Sequence, residues 1–240
     1  MKLSKDLSEW IRLEVRKANK RGIVVGLSGG IDSAVTAALS RKAIGDNVIG
    51  LILPCGSHPV DEKLAKKFAR KFKIRVKKID LAGVYKKLSS TFPGAKRIAK
   101  ANLKPRLRMM TLYYLANSLN YLVAGTGNKS EIMVGYFTKY GDGGCDILPL
   151  GGLLKTEVRK LAEELRIPAE IIKRAPTAGL WVGQTDESEM GVSYKELDHC
   201  LASFEKGKAP KVDNKKLTKI KTMIENSQHK RDRIPVFKKK

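Results

Sequence analysis

The chain predicts an α/β fold, a doubly wound parallel sheet with flanking helices in a single domain over residues 1–240. Three observations carry that prediction. Ile23-Val24-Val25, Asn47–Leu53, Ile74–Ile79 and Tyr121–Ala124 are apolar or alternating runs too short for helices, which makes them strands. Helical periods lie between them, the order expected of parallel strands joined by crossover helices. Gly26-Leu27-Ser28-Gly29-Gly30-Ile31-Asp32-Ser33 turns the first strand directly into a helix that begins with Ala34, Val35, Ala37, Ala38 and Leu39.

Taken in order, Leu3, Leu7, Trp10, Ile11, Glu14, Val15 and Ala18 follow a helical period, so an amphipathic helix opens the chain. The second strand stops at Pro54. Leu64, Phe68 and Phe72 then form the core-facing stripe of a helix whose other faces carry Lys63, Lys66, Lys67, Arg70 and Lys71. Residues 82–120 read as mostly helical, broken at Pro93-Gly94. Met109, Leu112, Tyr113 and Leu115 there belong to core or to a subunit interface. Lys155 begins a helix running to Arg166 and ended by Pro168, and Asp213–Glu225 is a final helix. Between them, Ala175–Met190 lacks apolar periodicity and predicts a mobile lid. A basic tail, His229–Lys240, closes a basic C-terminal stretch of about 205–240.

The glycine turn at residues 26–33 suits a pyrophosphate. Gly29 and Gly30 permit close backbone approach, and the helix behind them presents free N–H groups and a positive dipole end. Ser28 and Ser33 add hydroxyls, and Asp32 adds a carboxylate able to hold a divalent cation. No lysine follows the glycines, which excludes the GxxxxGK[ST] loop. Plain helix capping would need neither the double glycine nor the second serine. The loop is expected outside the carboxyl ends of the strands, where open α/β sheets bind ligands. The fourth strand delivers Gly125-Thr126-Gly127 to the same edge, with Glu131 at the start of a short helix.

Composition narrows the class. No run of about 18 apolar residues exists, so no membrane-spanning segment is expected. Cys55, Cys145 and Cys200 are scattered, and His58, His199 and His229 lack ligand spacing, which argues for a reducing cytoplasm over disulfides or zinc. The net charge is +24. Residues 61–108 carry 17 basic side chains against three acids, and residues 201–240 carry 13 against four. Such charge raises the case for a nucleic-acid partner, yet the Lys63–Lys71 face fits a solvated amphipathic helix, so no nucleic-acid site is expected.

Ser28-Gly29-Gly30-Ile31-Asp32-Ser33 resembles the SGGxDS loop of the ATP pyrophosphatases. Gly125-Thr126-Gly127-Asn128-Lys129-Ser130-Glu131, the run Gly135-Tyr136-Phe137-Thr138-Lys139-Tyr140-Gly141-Asp142-Gly143-Gly144-Cys145-Asp146, then Leu148-Pro149-Leu150, Lys155, Pro176-Thr177-Ala178 and His229-Lys230-Arg231 narrow it. Together they resemble the ammonia-dependent NAD synthetases of the adenine-nucleotide alpha-hydrolase-like class, from about Gly22 to Phe237. The resemblance implies that a nicotinic acid carboxylate is adenylated by ATP and that ammonia then displaces AMP. It places Gly26 to Ser33, Thr126, Lys155 and Thr177 at ATP, and Mg²⁺ on Asp32 and Glu131. Arg106, Lys139, Asp146, His229 and Lys230 would bind deamido-NAD. Asp142 and Lys155 are the catalytic candidates, Asp142 at the ammonium site. Arg106 and Arg108 lie two apart, about 200° around a helix, so one of them is expected to face the site, and the resemblance favours Arg106. The family implies a homodimer sharing the dinucleotide site. Ile31 departs from the glutamine common in bacterial members, and no glutaminase domain is expected. The alternative is an ATP pyrophosphatase that adenylates tRNA, which would want a loop-borne cysteine; Cys55 in Pro54-Cys55-Gly56 is the one candidate.

Overall fold

The computed structural model describes residues 2–181 and 183–239. Strands form at Ile23–Gly26 (β1), Val48–Ile52 (β2), Arg75–Lys78 (β3) and Leu122–Ala124 (β4). All neighbours are parallel, in the order β3-β2-β1-β4, with Ile23 beside both Val48 and Leu122. The chain thus starts in the sheet interior, steps outward twice, and returns to the other side of β1.

The first helices are α1 (Lys2–Lys17), α2 (Ile31–Ile44), α3 (Pro59–Lys71), α4 (Ala82–Ser90), α5 (Arg97–Ala101) and α6 (Leu103–Leu119). They are followed by α7 (Lys129–Met133), α8 (Lys155–Glu164), α9 (Ala169–Ile172), α10 (Asp186–Met190), α11 (Tyr194–Glu205), α12 (Asn214–Asn226) and α13 (Gln228–Arg231). Both sheet faces are covered, and β1 shows why its three apolar residues are consecutive. Ile23 and Val25 enter one core with Ile11, Leu39, Phe68 and Leu161, while Val24 enters the other with Leu51, Met109 and Leu112. A strand buried on both faces needs no polar alternation. β3 is an edge strand, and its Arg75, Lys77 and Lys78 suit an edge that must not pair with another chain.

Three parts of the C-terminal half differ from the sequence-based expectation. Helix α11 was not anticipated, although Ser193 accepts from Glu196 N–H and Glu196 answers Ser193 N–H in a capping box. It builds a third core in which Tyr194, Leu197, Cys200 and Leu201 meet Val134, Met190 and Ile220. The stretch expected as a lid from 175 to 190 is anchored at its far end, because α10 buries Asp186 and Met190; within it, Val182 lies outside the described residues. The tail expected from His229 contains α13, of four residues, too short for periodicity to reveal. Tertiary bonds hold it instead: Arg231 donates to Met133 O at 2.7 Å and to Ile224 O at 2.6 Å. The tail's last residue, Lys240, lies outside the described residues.

Phe68 is 1 % exposed and stacks on Phe72 with ring centroids 4.6 Å apart. Phe68→Ala should lower unfolding free energy by about 3–5 kcal/mol, measured by urea denaturation. Phe68 does not line the cleft at the carboxyl ends of the strands, so the folded fraction should keep its ligand affinities.

Candidate active site

Strand order reverses between β1 and β4, and a crevice opens at the carboxyl ends of strands on either side of such a switch point. There the molecule has a cleft of about 920 Å³. Its floor comes from the β1–α2 and β4–α7 loops, one wall from α6, and another from residues 135–142 and α13.

Backbone and hydroxyls of the β1–α2 loop face the cleft, whereas the Leu27 and Ile31 side chains pack into the core and anchor it. Ser28 Oγ lies 3.1 Å from Ser33 Oγ and accepts from Gly30 N–H at 3.2 Å. No side chain caps α2, so its first N–H groups stay available for an anion. Gly29 has φ +78°, and a Cβ there would sit 2.5 Å from Asp61 O. Glycine is therefore required twice over, by the left-handed backbone and by the contact with α3.

Lys155 Nζ lies 2.5 Å from Asp32 Oδ2 and 2.9 Å from Glu131 Oε1, and its side chain is 2 % exposed. Burial works against its charge, but the two carboxylates outweigh that and hold its pKa above the usual lysine value. Burial, reinforced by the Asp32 charge, pushes the Glu131 pKa up against the pull of Lys155. Asn128 donates from Nδ2 to Asp32 Oδ1 at 2.9 Å and caps α7 by accepting from Glu131 N–H at 3.1 Å. Tyr194 OH reaches Asp186 Oδ2 at 2.9 Å and Glu131 Oε1 at 3.3 Å; burial raises its pKa, so it stays a donor. Asp186 is 4 % exposed and, among the described residues, its Oδ1 has no hydrogen-bond partner. Asp32 and Glu131 already converge on a cation, the Lys155 ammonium, and two carboxylates are a sufficient protein share for Mg²⁺, which keeps several waters. Among the described residues no group of three metal-ligating side chains forms.

The remaining expected residues divide clearly. Thr126, Arg106, Lys139, Asp142, Thr177, His229 and Lys230 all line the cleft. Lys139 O accepts from the Arg106 guanidinium, Lys139 Nζ donates to His229 O at 2.7 Å, and Lys230 Nζ donates to Gly135 O at 2.6 Å. Gly135 has φ +67°, and a Cβ there would lie 2.1 Å from Ser227 Cβ, which is how the α12–α13 joint reaches this wall. Asp142 accepts from Thr138 N–H at 3.0 Å. Surrounding protein pushes its pKa up, Thr138 N–H and Arg108 oppose this, and access to solvent through the cleft mouth limits the push.

Two residues stand elsewhere than the sequence alone suggested. Asp146 lies outside this chain's cleft, where it accepts from Val123 N–H at 2.7 Å and Tyr113 OH at 3.0 Å. Both Arg106 and Arg108 line the cleft, because residues 135–142 and the β2–α3 loop flank α6 on two sides. The cleft also contains Arg174, paired with Asp61. Asn128, Tyr194, Asp186, Arg108 and Arg174 were not singled out from sequence as site residues. Only Asn128 carried a readable signal, its capping spacing to Glu131.

The family model described as NAD synthase matches residues 3–234. The chain belongs to the NAD synthase family. It is 50% identical to the NH(3)-dependent NAD(+) synthetase of Carboxydothermus hydrogenoformans, over 95% of this chain and 93% of that protein. Among solved structures, NMN synthetase from Francisella tularensis is similar with TM-score 0.91 and 40% identity, covering 98% of this chain and 97% of that one. The NH3-dependent NAD synthetase of Campylobacter jejuni gives TM-score 0.86 at 27% identity, covering 99% and 98%. Membership of this family leaves the tRNA alternative without support.

Asp32→Asn should stop pyrophosphate release from ATP, because it removes one of the two carboxylates that converge on the Lys155 position. Glu131 still pairs Lys155, so a cooperative thermal melt should remain. Pyrophosphate assay alongside calorimetry checks both outcomes.

Proposed function

We propose that the chain amidates deamido-NAD with ammonia, consuming ATP and releasing AMP and pyrophosphate. The observation that carries this reading is one cleft in which the phosphate loop and Lys155 face the wall of Arg106, Lys139, His229 and Lys230. A nicotinate carboxylate is inert to ammonia because oxide is a poor leaving group. Attack of that carboxylate on the α-phosphorus of ATP gives an acyl adenylate whose leaving group is AMP. The loop N–H groups, Ser28 and Ser33 hold the departing pyrophosphate, with Lys155 and Thr177 beside it. Ammonia then forms the C–N bond, AMP leaves with the electron pair, and Asp142 takes the proton that nitrogen loses. Asp32 and Glu131 would hold Mg²⁺, whose charge offsets the repulsion between carboxylate and polyphosphate.

Ammonia, not glutamine, fits the cysteines. Cys55 and Cys200 are buried, and burial pushes Cys145 up to about 11, so none offers a ready thiolate. Amidation of the deamido mononucleotide to NMN is the second reading, favoured by the likeness to NMN synthetase at 40% identity.

The assembly we propose is a homodimer. Val84, Leu88, Phe92, Ile98, Met110 and Tyr114 are exposed on or beside α4–α6, with Tyr114 at 76 %. Tyr113 ties Asp146 to this same helix α6, so a second copy seated there is the route by which Asp146 joins a dinucleotide site. Met110→Glu should convert a dimer to a monomer on light scattering. Among the described residues no helix is long and apolar enough to cross a membrane.

Product analysis decides between substrates: ATP and ammonium are supplied with deamido-NAD or with its mononucleotide. NAD is expected from ammonium and none from ammonia-free glutamine. A carboxylate must be ionised to hold ammonium, and the protein packed around Asp142 raises its pKa, though its solvent exposure limits the rise. The rate should therefore fall as pH drops through that raised pKa, and rise toward the ammonium pKa as free NH₃ accumulates. Asp142→Asn should raise the KM for ammonium about tenfold or more while leaving that for ATP nearly unchanged.

A further inference from the structure

Arg108 stands on α6 and lines the cleft opposite the residues that sequence reasoning preferred. Its Nε donates to Leu53 O at 3.1 Å and its Nη2 to Ser57 Oγ at 3.2 Å. Those two bonds fix the guanidinium plane and, among the described residues, leave Nη1 without a hydrogen bond. Among the described residues no carboxylate forms an ion pair with it, whereas Lys155 and Arg174 are both paired. The charged groups that act on it through space are Asp142 and Asp61, with the Cys55 thiol and the Lys104 ammonium beside it. Asp61 packs against Gly29 of the phosphate loop, and Asp142 belongs to the proposed ammonium site. The guanidinium therefore lines the same cleft as the phosphate loop, Asp61 and Asp142. A sequestered cation without a counter-ion is costly unless an anion completes the site.

Resting on the adenylation reading above, we propose that Arg108 is a catalytic residue that holds a non-bridging α-phosphate oxygen through its free Nη1 edge. The step it serves is balanced without a proton. A carboxylate oxygen supplies the electron pair for the new O–P bond, the bond from phosphorus to the β-bridging oxygen breaks, and that pair departs on pyrophosphate. Two anions approach each other, and charge builds on the α-phosphoryl oxygens, where a fixed guanidinium acts most strongly. Arginine suits this task better than lysine because its planar fork meets phosphate oxygens while the anchors hold its orientation.

The measurement is deamido-NAD-dependent exchange of labelled pyrophosphate into ATP, which reads adenylation without ammonia. Arg108→Met should lower the maximal exchange rate about 100-fold, with the KM for ATP within about threefold of wild type and an unchanged melting profile. Wild-type exchange in the variant would overturn the proposal. So would a loss confined to the KM for ATP, which would mean that Arg108 merely ties α6 to the end of β2. If Arg108→Met does not fold, Arg108→Lys decides, since it keeps charge and stem but loses the fork. A maximal rate about tenfold lower supports the role, and a wild-type rate overturns it. Absence of exchange by the wild-type chain would overturn the adenylation reading and this proposal together, whereas loss in the variants alone leaves that reading standing.

Discussion

Lys155 begins α8, Asp32 lies in the first turn of α2, and Glu131 lies in the first turn of α7. Their ion pairs, at 2.5 and 2.9 Å, join three helix starts around one buried ammonium. Desolvating such a group costs several kcal/mol, which only close and well-bonded partners offset. Asn128 and Tyr194 supply that bonding from both sides, Asn128 to Asp32 and Tyr194 to Glu131. Helix starts also concentrate partial positive charge, which favours the two carboxylates where they stand. The cleft inherits its shape from this arrangement, because the loops after β1 and β4 are held together by it. Ser130 extends the same network, accepting from Lys155 N–H at 2.9 Å and donating to Asp198 of α11. The third core is thus bonded to the cleft floor through polar groups.

Charge elsewhere in the molecule has a simpler explanation. The basic face of α3 is engaged: Lys66 pairs with Glu62 at 2.6 Å, Lys67 with Glu170, and Lys71 donates to Arg166 O at 2.6 Å. Exposed pairs of this kind contribute little stability and are screened by salt. They do account for a lysine-rich helix without a polyanionic partner. Cations in the cleft differ in kind, since Arg106, Lys139, Lys230 and Arg108 rest on backbone carbonyls or a hydroxyl rather than on carboxylates. Among the described residues none of them forms an ion pair with a carboxylate, at the wall where the anionic nucleotide would lie.

Much of this molecule was legible in its residues. Short apolar or alternating runs marked all four strands within about two residues at each end: β1, β2 and β4 are buried and uninterrupted by polar residues, while the edge strand β3 shows alternating charge. The Gly29-Gly30 turn and Asp32 followed from local chemistry at a strand end, and Thr126 and Glu131 from the family resemblance. Parallel topology then put them on one edge. What local pattern left dark was mostly short or non-periodic: α10 and α13 have five and four residues and are held by tertiary bonds, such as Arg231 to the carbonyls of α7.

Sequence alone therefore determined the strands, the phosphate loop and the family, since those depend on contacts within a few residues and on a motif of fixed spacing. Tertiary structure alone decided which side chains share the cleft. Arg106 and Arg108 point to different sides of α6, yet both meet the cleft because other elements flank the helix on both sides. Asp146 sits one residue from Cys145 and four from Asp142, but its bonds to Val123 N–H and Tyr113 turn it away. Lys155 reaches Asp32 across 123 positions of sequence. Such long-range convergence is set by packing of the sheet and its helices, and no local spacing encodes it.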